Sequence, residues 1–567
     1  MLNPSRETAR VARGGASGLR GEELFGTAFD GKVMGRFLYF VRPYRQVLTI
    51  AVLAVLAFTL TQIAVPLVIR MIIDDALIGD AANRDILQMA AIGFFGVVTV
   101  NYVANYIQLV TVAKTAERIL IDIRRAMYAH LQQVSLSFMD KTEVGRLMSR
   151  LQGDVGSLQE FLETSIFAIG DIVLLIGIVT VMVILDWQLG LLTLSVVPIL
   201  LVIRVVWLPI AKRAFMRARE TSSMVNGALA ENINGVRTVQ EMTRQQINYD
   251  AFEGKVMDNL LAHLRASRLA QIMVPTVDTL TGGAMAIVII IGGNLVLDRS
   301  LDVGVMVAFL FYIQRFFDPI RSLTMQYSVM QRAMASGQRI FEVLDVKVEV
   351  EDKPDAATLD DADGSVEFKD VTFGYVKGQA VLKNINFRIE QGETIALVGP
   401  TGSGKTSTTA LLHRFYDVWQ GQIMVGGKDV RDVTQESLGQ HVAMVLQEPF
   451  LFTGTVFENI RYRSTEAGMD KIVAAAKAVG AHDFIMALPD GYDAILGQRG
   501  GNLSIGQRQL ISFARAIVAD AKILVLDEAT ANVDSFTERD IQQALARTLK
   551  GRTGIVIAHR LATVRHA

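Results

Sequence analysis

Glu393-Thr394-Ile395-Ala396-Leu397-Val398-Gly399-Pro400-Thr401-Gly402-Ser403-Gly404-Lys405-Thr406-Ser407 runs from an apolar, strand-like stretch through a glycine-rich loop into a helix-prone segment. Strand, loop and helix in that order are the setting that a phosphate-binding P-loop requires. The glycines let successive backbone N–H groups turn inward around phosphate oxygens, and the start of the helix adds the positive end of its dipole. In this pattern Lys405 is expected to reach the β- and γ-phosphates of ATP and Thr406 to hold Mg²⁺. Gly399, Pro400, Thr401, Gly402, Ser403, Gly404 and Ser407 complete the cradle. A second apolar strand, Ile523-Leu524-Val525-Leu526, ends in Asp527-Glu528. Taken singly, such a pair often caps the following helix. Beside a P-loop it suits Walker B chemistry, with Asp527 ordering the Mg²⁺ shell and Glu528 polarising the attacking water.

Composition bounds the rest of the chain. Of its 567 residues, 51% are hydrophobic and 20% charged, and the mean hydropathy is +0.34. Single cores stop growing near roughly 250–300 residues, so an apolar excess at this length points to membrane-embedded segments. The 56 basic residues nearly cancel the 57 acidic ones, a net charge of −1 that gives no reason to expect a nucleic-acid partner. With no cysteine in the chain, disulfides, thiolate zinc sites and cysteine catalysis are excluded.

Six nearly uncharged apolar runs, at residues 47–68, 86–112, 162–185, 189–207, 272–297 and 303–323, are each about long enough to cross a bilayer as a helix. The third and fourth are split only by Asp186-Trp187-Gln188. Pro66, Pro198, Pro209 and Pro275 lie in or beside these runs, which membrane helices tolerate. The two long loops are basic, with Lys114, Arg118, Arg124, Arg125, Lys141, Arg146 and Arg150 in one and Lys212, Arg213, Arg217, Arg219, Arg237, Arg244, Arg265 and Arg268 in the other. The three short connections offer only Arg70, Arg84 and Arg299, so the positive-inside rule places both termini and both long loops in the cytoplasm. Segments 116–134 and 211–236 read as helices that extend the spans as cytoplasmic stalks. Residues 1–33 combine arginines and glycines with no periodicity and no secretory apolar stretch, and are expected to be a disordered tail. Residues 34–343 make up the six-span region, and 344–364, rich in acids around Pro354, a solvated linker. Residues 365–567 are organised like a soluble α/β domain.

Further motifs stand in a fixed order along that domain: Val371-Thr372-Phe373-Gly374-Tyr375, Val445-Leu446-Gln447-Glu448-Pro449, Leu503-Ser504-Ile505-Gly506-Gln507, Ala531-Asn532-Val533-Asp534 and Ile557-Ala558-His559-Arg560. Any one of them alone would more often be structural than functional. With the P-loop and the acidic strand end they resemble, from about Phe37 onward, the ATP-binding cassette transporters, specifically exporter-type half-transporters of the type IV fold, multidrug- or lipid-exporter-like. The resemblance implies an all-α six-helix transmembrane domain followed by an α/β P-loop nucleotide-binding domain with a RecA-like core and a helical signature subdomain. It implies that Tyr375 stacks on adenine, that Gln447 contacts Mg²⁺, and that Asp534 is the D-loop aspartate and His559 the switch histidine. Ser504, Gly506 and Gln507 would be the signature residues acting on the ATP of a partner chain. Three positions depart from the family pattern. Ile505 replaces the second signature glycine, Gln498 stands where exporters often carry glutamate, and the D-loop lacks the common Ser-Ala-Leu-Asp. The family's domain usually continues with a further strand and helices, so a shortened C-terminal end is expected at Ala567.

A half-transporter implies a dimer, formed with a second copy ahead of a different half, and a multi-pass location such as a bacterial inner membrane. It also implies alternating access driven by two ATP molecules, with Ser137-Phe138-Met139-Asp140 and the segment 231–239 resembling the family's two coupling regions. The substrate is expected to be a small amphipathic molecule, drug-like or lipid. Runner-up readings are a lipid flippase and a siderophore or vitamin importer on the same scaffold. Asn101, Asn105 and Gln108 make a polar stripe on the second span, and Phe309, Tyr312 and Phe316 an aromatic one on the sixth. Asp171, Arg204, Asp278 and Arg315 are ionisable residues within or beside spans. Such residues either face a substrate cavity or sit as ordinary charges on stalks beyond the lipid.

Overall fold

The computed structural model describes residues 30–78, 84–360, 362–527 and 535–557, which fall into two compact units. The first comprises the described residues up to Tyr128 together with Met148–Leu344, and the second comprises Ala129–Leu147 and the described residues from Asp345 onward.

Among the described residues, six helices are long and apolar enough to cross a membrane: Gly31–Ile78, Arg84–Gln133, Val144–Leu185, Trp187–Asn234, Gln245–Leu297 and Val303–Leu344. Backbone groups in hydrocarbon must be satisfied within the segment, which is why the apolar runs emerge as unbroken helices. Pro66, Pro209, Pro275 and Pro319 are absorbed inside them. The one sharp turn between the third and fourth helices is made by Asp186, whose carboxylate accepts from Leu189 N at 2.7 Å and caps the next helix.

Packing in this unit centres on the third helix. Its buried residues Leu158, Leu162, Ile166, Gly170, Leu174, Ile178 and Met182 recur every four positions, forming a single ridge. The ridge meets Phe309, Tyr312 and Ile313 of the sixth helix and Ile63 of the first in one apolar cluster. Asp154 at the start of the ridge accepts from Arg339 Nε and Ser336 Oγ, both at 2.9 Å, and so ties the third helix to the sixth by charge as well. The first helix is joined to the sixth by Asp74, whose Oδ1 accepts from Gly304 N at 2.6 Å. A Cβ on Gly304 would lie 2.6 Å from the Arg70 carbonyl oxygen, so the two backbones touch because residue 304 has no side chain.

The second unit contains two larger sheets. Strands β1 (Val366–Phe373), β2 (Leu382–Ile389), β4 (Gln420–Val425) and β5 (Lys428–Asp429) form an antiparallel sheet in the order β2-β1-β4-β5. Strands β3 (Thr394–Leu397), β6 (Val442–Val445), β9 (Ile523–Asp527) and β10 (Thr553–Ile557) form a parallel sheet in the order β3-β10-β9-β6. A two-stranded ribbon pairs β7 (Gly454–Thr455) with β8 (Ile495–Leu496). Ile523, Leu524, Val525 and Leu526 are fully buried, as expected for a central strand covered on both faces. One core lies under the helix Ile505–Ala519 and the other between the two sheets.

The stretch 344–364 keeps its described acids from Glu349 to Asp363 exposed, and it is also tied to the second unit. Asp352 accepts from Arg414 Nη1 and Gln435 N, both at 3.1 Å, and Ala357 bridges to Val433. Leu359 and Ala362 join the core between the sheets. Asp352 thus serves as an acceptor for donors from elsewhere in the unit, while Val350, Leu359 and Ala362 are buried.

His413 ends the P-loop helix with its Nε2 enclosed and without a hydrogen-bond partner, and burial pushes the imidazole down to about 4. The folded chain keeps this histidine neutral, whereas the unfolded chain protonates it near pH 6.5. Its contribution to stability is therefore complete above about pH 6.5 and is lost as pH falls toward 4, by roughly 3 kcal/mol at the limit. Thermal unfolding of the full chain in detergent should show this acid loss, and His413→Phe should flatten it; an unchanged profile would contradict the assignment. In the helical unit, Gly304→Ala is expected to destabilise by about 1–3 kcal/mol through backbone overpacking, and an unshifted melting midpoint would count against the close approach.

Candidate functional site

Strand β3 lies at the edge of the parallel sheet, paired with β10 from Thr394 to Leu397, and delivers the chain into the glycine-rich loop. The helix Lys405–Leu412 starts from Gly404, held at φ +91°, a left-handed conformation that suits glycine. A Cβ there would also sit 2.5 Å from Leu382 Cδ2. Both constraints select glycine, and together they fix where the helix N-terminus points. Lys405 folds its ammonium back over the loop, donating to Gly399 O at 2.9 Å and Pro400 O at 3.1 Å. A cation held on two carbonyl oxygens above a ring of backbone N–H groups fits the triphosphate of a nucleotide, whose oxygens would take the place of those carbonyls. Thr401, Gly402, Ser403 and Thr406 are exposed, while Ser407 is buried, with its Oγ 3.0 Å from the Tyr375 hydroxyl. Tyr375 meets Phe373 and Tyr416 edge-on, at ring centroid distances of 5.1 and 5.2 Å, and remains 43% exposed. That exposed aromatic surface can receive a flat base.

Asp527 closes β9, which is flanked by β10 and β6. Gln447 follows β6 by two residues and is exposed at the same carboxyl edge of the parallel sheet, the edge where ligands bind in open α/β sheets. Glu528, Asp534 and His559 lie outside the described residues.

Ser504 caps the helix Ile505–Ala519 in a reciprocal arrangement. Its Oγ accepts from Gln507 N at 3.2 Å, and its own N–H donates to Gln507 Oε1 at 2.9 Å. The Ser504 hydroxyl hydrogen stays available for an acceptor, whereas the Gln507 side chain is engaged within the cap and Gly506 is buried. A helix start of this kind suits an anion. Gln509 Nε2 donates to Leu446 O at 3.3 Å, tying the signature helix to the segment that carries Gln447.

The candidates in the spans are distributed differently. Phe309 and Tyr312 have no exposed surface and Phe316 only 7%; they fill the apolar core of the helical unit, with the Tyr312 hydroxyl bonded to Ile63 O at 2.7 Å. The helical spacing put them on one face, and that face packs into the apolar cluster shared with the third helix. Asn101 donates to Thr61 Oγ1 at 2.7 Å, and Gln108, itself buried, donates to Asn105 Oδ1 at 2.9 Å. Arg315 is held by Gln62 Oε1 at 2.6 Å, and Asp171 is half-buried. Arg204 is half-buried and Asp278 exposed. Sequence reasoning missed Arg414 and Tyr416, which no motif announces: only the positions of Asp352, Asp140 and Tyr375 in space give them meaning.

Comparison with known proteins places these features. The family model described as "ABC transporter transmembrane region" matches residues 48–320, and the one described as "ABC transporter" matches residues 382–531. The putative multidrug export ATP-binding/permease protein YgaD of Bacillus subtilis is 35% identical over 547 residues, 94% of this chain and 93% of its own. The ATP-dependent lipid A-core flippase of Desulfotalea psychrophila is 34% identical over 541 residues, again 94% of this chain and 93% of the relative. Among solved structures, a bacterial Atm1-family ABC exporter with ATP bound superposes with a TM-score of 0.71 at 26% identity, covering 92% of both chains. With six membrane-spanning helices and a nucleotide-binding domain in one polypeptide, the chain belongs to the ATP-binding cassette transporters, as an exporter-type half-transporter and multi-pass membrane protein.

Proposed function

We propose that this half-transporter pairs with a second copy of itself and uses ATP to move an amphipathic molecule, drug-like or lipid, from the cytoplasm or inner leaflet outward by alternating access. One observation carries the reading: six long apolar helices share a polypeptide with a phosphate cradle whose lysine already rests on acceptor oxygens. The second span supports the pairing, since only 6% of its most apolar window is buried within this chain, leaving surface for lipid and for a second half.

In this reading Tyr375 stacks on adenine, and the N–H groups from Gly399 to Ser407 with the Lys405 ammonium hold the phosphates. Thr406, Gln447 and Asp527 would hold Mg²⁺, which neutralises charge on the β- and γ-oxygens. Glu528 takes the proton of the attacking water as the bond to the leaving phosphate oxygen breaks, and His559 and the partner's signature helix steady the transferring group. Ser504 offers its free hydroxyl hydrogen across the interface, and Asp534 lies on the loop expected to meet the other site. Two ATP molecules thus join the nucleotide-binding domains, and hydrolysis releases them.

Glu528→Gln is expected to abolish sustained ATP hydrolysis while leaving ATP binding intact; full turnover by this variant would defeat the catalytic assignment. For the substrate, Asp278 is an exposed acid in the fifth span and Asp171 a half-buried one in the third. Neutralising both, as Asp171→Asn with Asp278→Asn, should remove ATPase stimulation by a cationic amphiphile in liposomes but not by a neutral one. The names of the flippase relatives favour lipid as the second reading. Stimulation that follows lipid headgroup and ignores both aspartates would select it.

A further inference from the structure

The turn after the P-loop helix, Arg414-Phe415-Tyr416-Asp417, plays no part in the hydrolysis proposed above, yet it is among the most heavily tied segments of its unit. Arg414 sits at φ +51° with its side chain 3% exposed, and its Nη2 donates to Glu351 O at 2.9 Å while Nη1 donates to Asp352 Oδ1 at 3.1 Å. A non-glycine residue in that conformation persists where surrounding contacts over-determine it. Two residues on, the Tyr416 hydroxyl donates to the Asp140 carboxylate in the short helix Leu136–Lys141, which belongs to the same compact unit. The ring of contacts closes through the connector: Ser135 Oγ accepts from Glu349 N at 2.7 Å and Val350 N at 3.2 Å, and Ser137 donates to the Glu349 carboxylate. Segments 135–140, 349–352 and 414–417 thus form one hydrogen-bonded junction.

The other side of Tyr416 faces the nucleotide site. Its ring lies edge-on to Tyr375 at 5.2 Å and 87°, and tilted against Phe373 at 5.5 Å. Tyr375 in turn lies 3.0 Å from Ser407 Oγ of the P-loop helix. One side chain therefore touches the aromatic surface open to a base and a carboxylate from the loop between the second and third spans. Burial and Asp140 both push the Tyr416 phenol above its ordinary value, so the proton stays on the tyrosine and the hydrogen bond keeps its direction.

We propose that Tyr416 is a positioning residue that reports occupancy of the adenine surface to Asp140, so that a base stacked on Tyr375 fixes the Tyr416 ring and thereby the helix Leu136–Lys141. A tyrosine ring moves about two torsions only, so restricting its edge contact restricts where its hydroxyl points. The bias acts through the difference between the two states of the ring, as any ligand-driven shift must. The proposal rests on Tyr375 as the adenine platform.

The chain has no cysteine, so one introduced at exposed Glu143 can carry a bimane probe without competing sites. The full-length protein in lipid nanodiscs is titrated with AMP-PNP and Mg²⁺. Tyr416→Phe and Asp140→Asn should each reduce the nucleotide-induced change in bimane emission about fivefold. Half-saturation should stay within about twofold of the parent, and the double variant should lose no more than either single one. A merely structural tie would alter the emission without nucleotide and leave the induced change intact, which would overturn the proposal. So would a parent that gives no induced change, losses that multiply in the double variant, or half-saturation displaced more than about fivefold. Tyr375→Ala separates the two readings: retained AMP-PNP affinity refutes the adenine platform, whereas lost affinity with an unaffected Tyr416→Phe response refutes the relay alone.

Discussion

Hydrocarbon offers no partner for a backbone N–H or C=O, and this constraint governs the larger half of the molecule. It forces the apolar runs into uninterrupted helices, which then need some other means of choosing neighbours, because lipid is as apolar as their side chains. The choice is made by shape and by a few polar ties. A ridge that repeats every four residues from Leu158 to Met182 gives the third helix one face to bury. Gly304 lets two backbones meet, and Asp154 and Asp74 each bind an element of the sixth helix. The tail of the first span and the start of the sixth are joined by a carboxylate on a backbone amide rather than by apolar area.

In water the same polypeptide follows different rules. The central strand β9 can be apolar from Ile523 to Leu526 because β10 and β6 complete its ladder and packed cores cover both faces. Polar chemistry is pushed to the carboxyl ends of the strands, where Gln447, Asp527 and the glycine-rich loop gather. At the signature helix, Ser504 and Gln507 satisfy each other's backbone groups, so the helix start is organised before any phosphate arrives. The departure at Ile505 is accommodated because that side chain is exposed while Gly506 keeps the buried position.

The features legible in the sequence were those built from neighbours along the chain. The phosphate loop needs a strand, glycines and a helix within about fifteen residues, and each of these has a local signature. The spans were legible by length and apolarity, and Asp186 by its place between two runs. What escaped was decided across long separations. Periodicity put Phe309, Tyr312 and Phe316 on one face, but only the third helix determined that this face points inward. The ties of 344–364 escaped because Arg414 and Gln435, the donors to Asp352, are some sixty to eighty residues further on. Tyr416 carries no motif at all; its partner Asp140 precedes it by 276 residues.

That separation has a consequence for how the protein is made. The helix Leu136–Lys141 belongs to the second unit, although nearly all of the first unit's later spans are synthesised before its partners exist. At about 5–20 residues per second, the 276 residues between Asp140 and Tyr416 take roughly 15–55 s to appear. During that interval the loop between the second and third spans is complete, basic and without the connector and aromatic turn that later hold it. The second unit is therefore complete only when segment 129–147, made before the later spans, meets residues made after them.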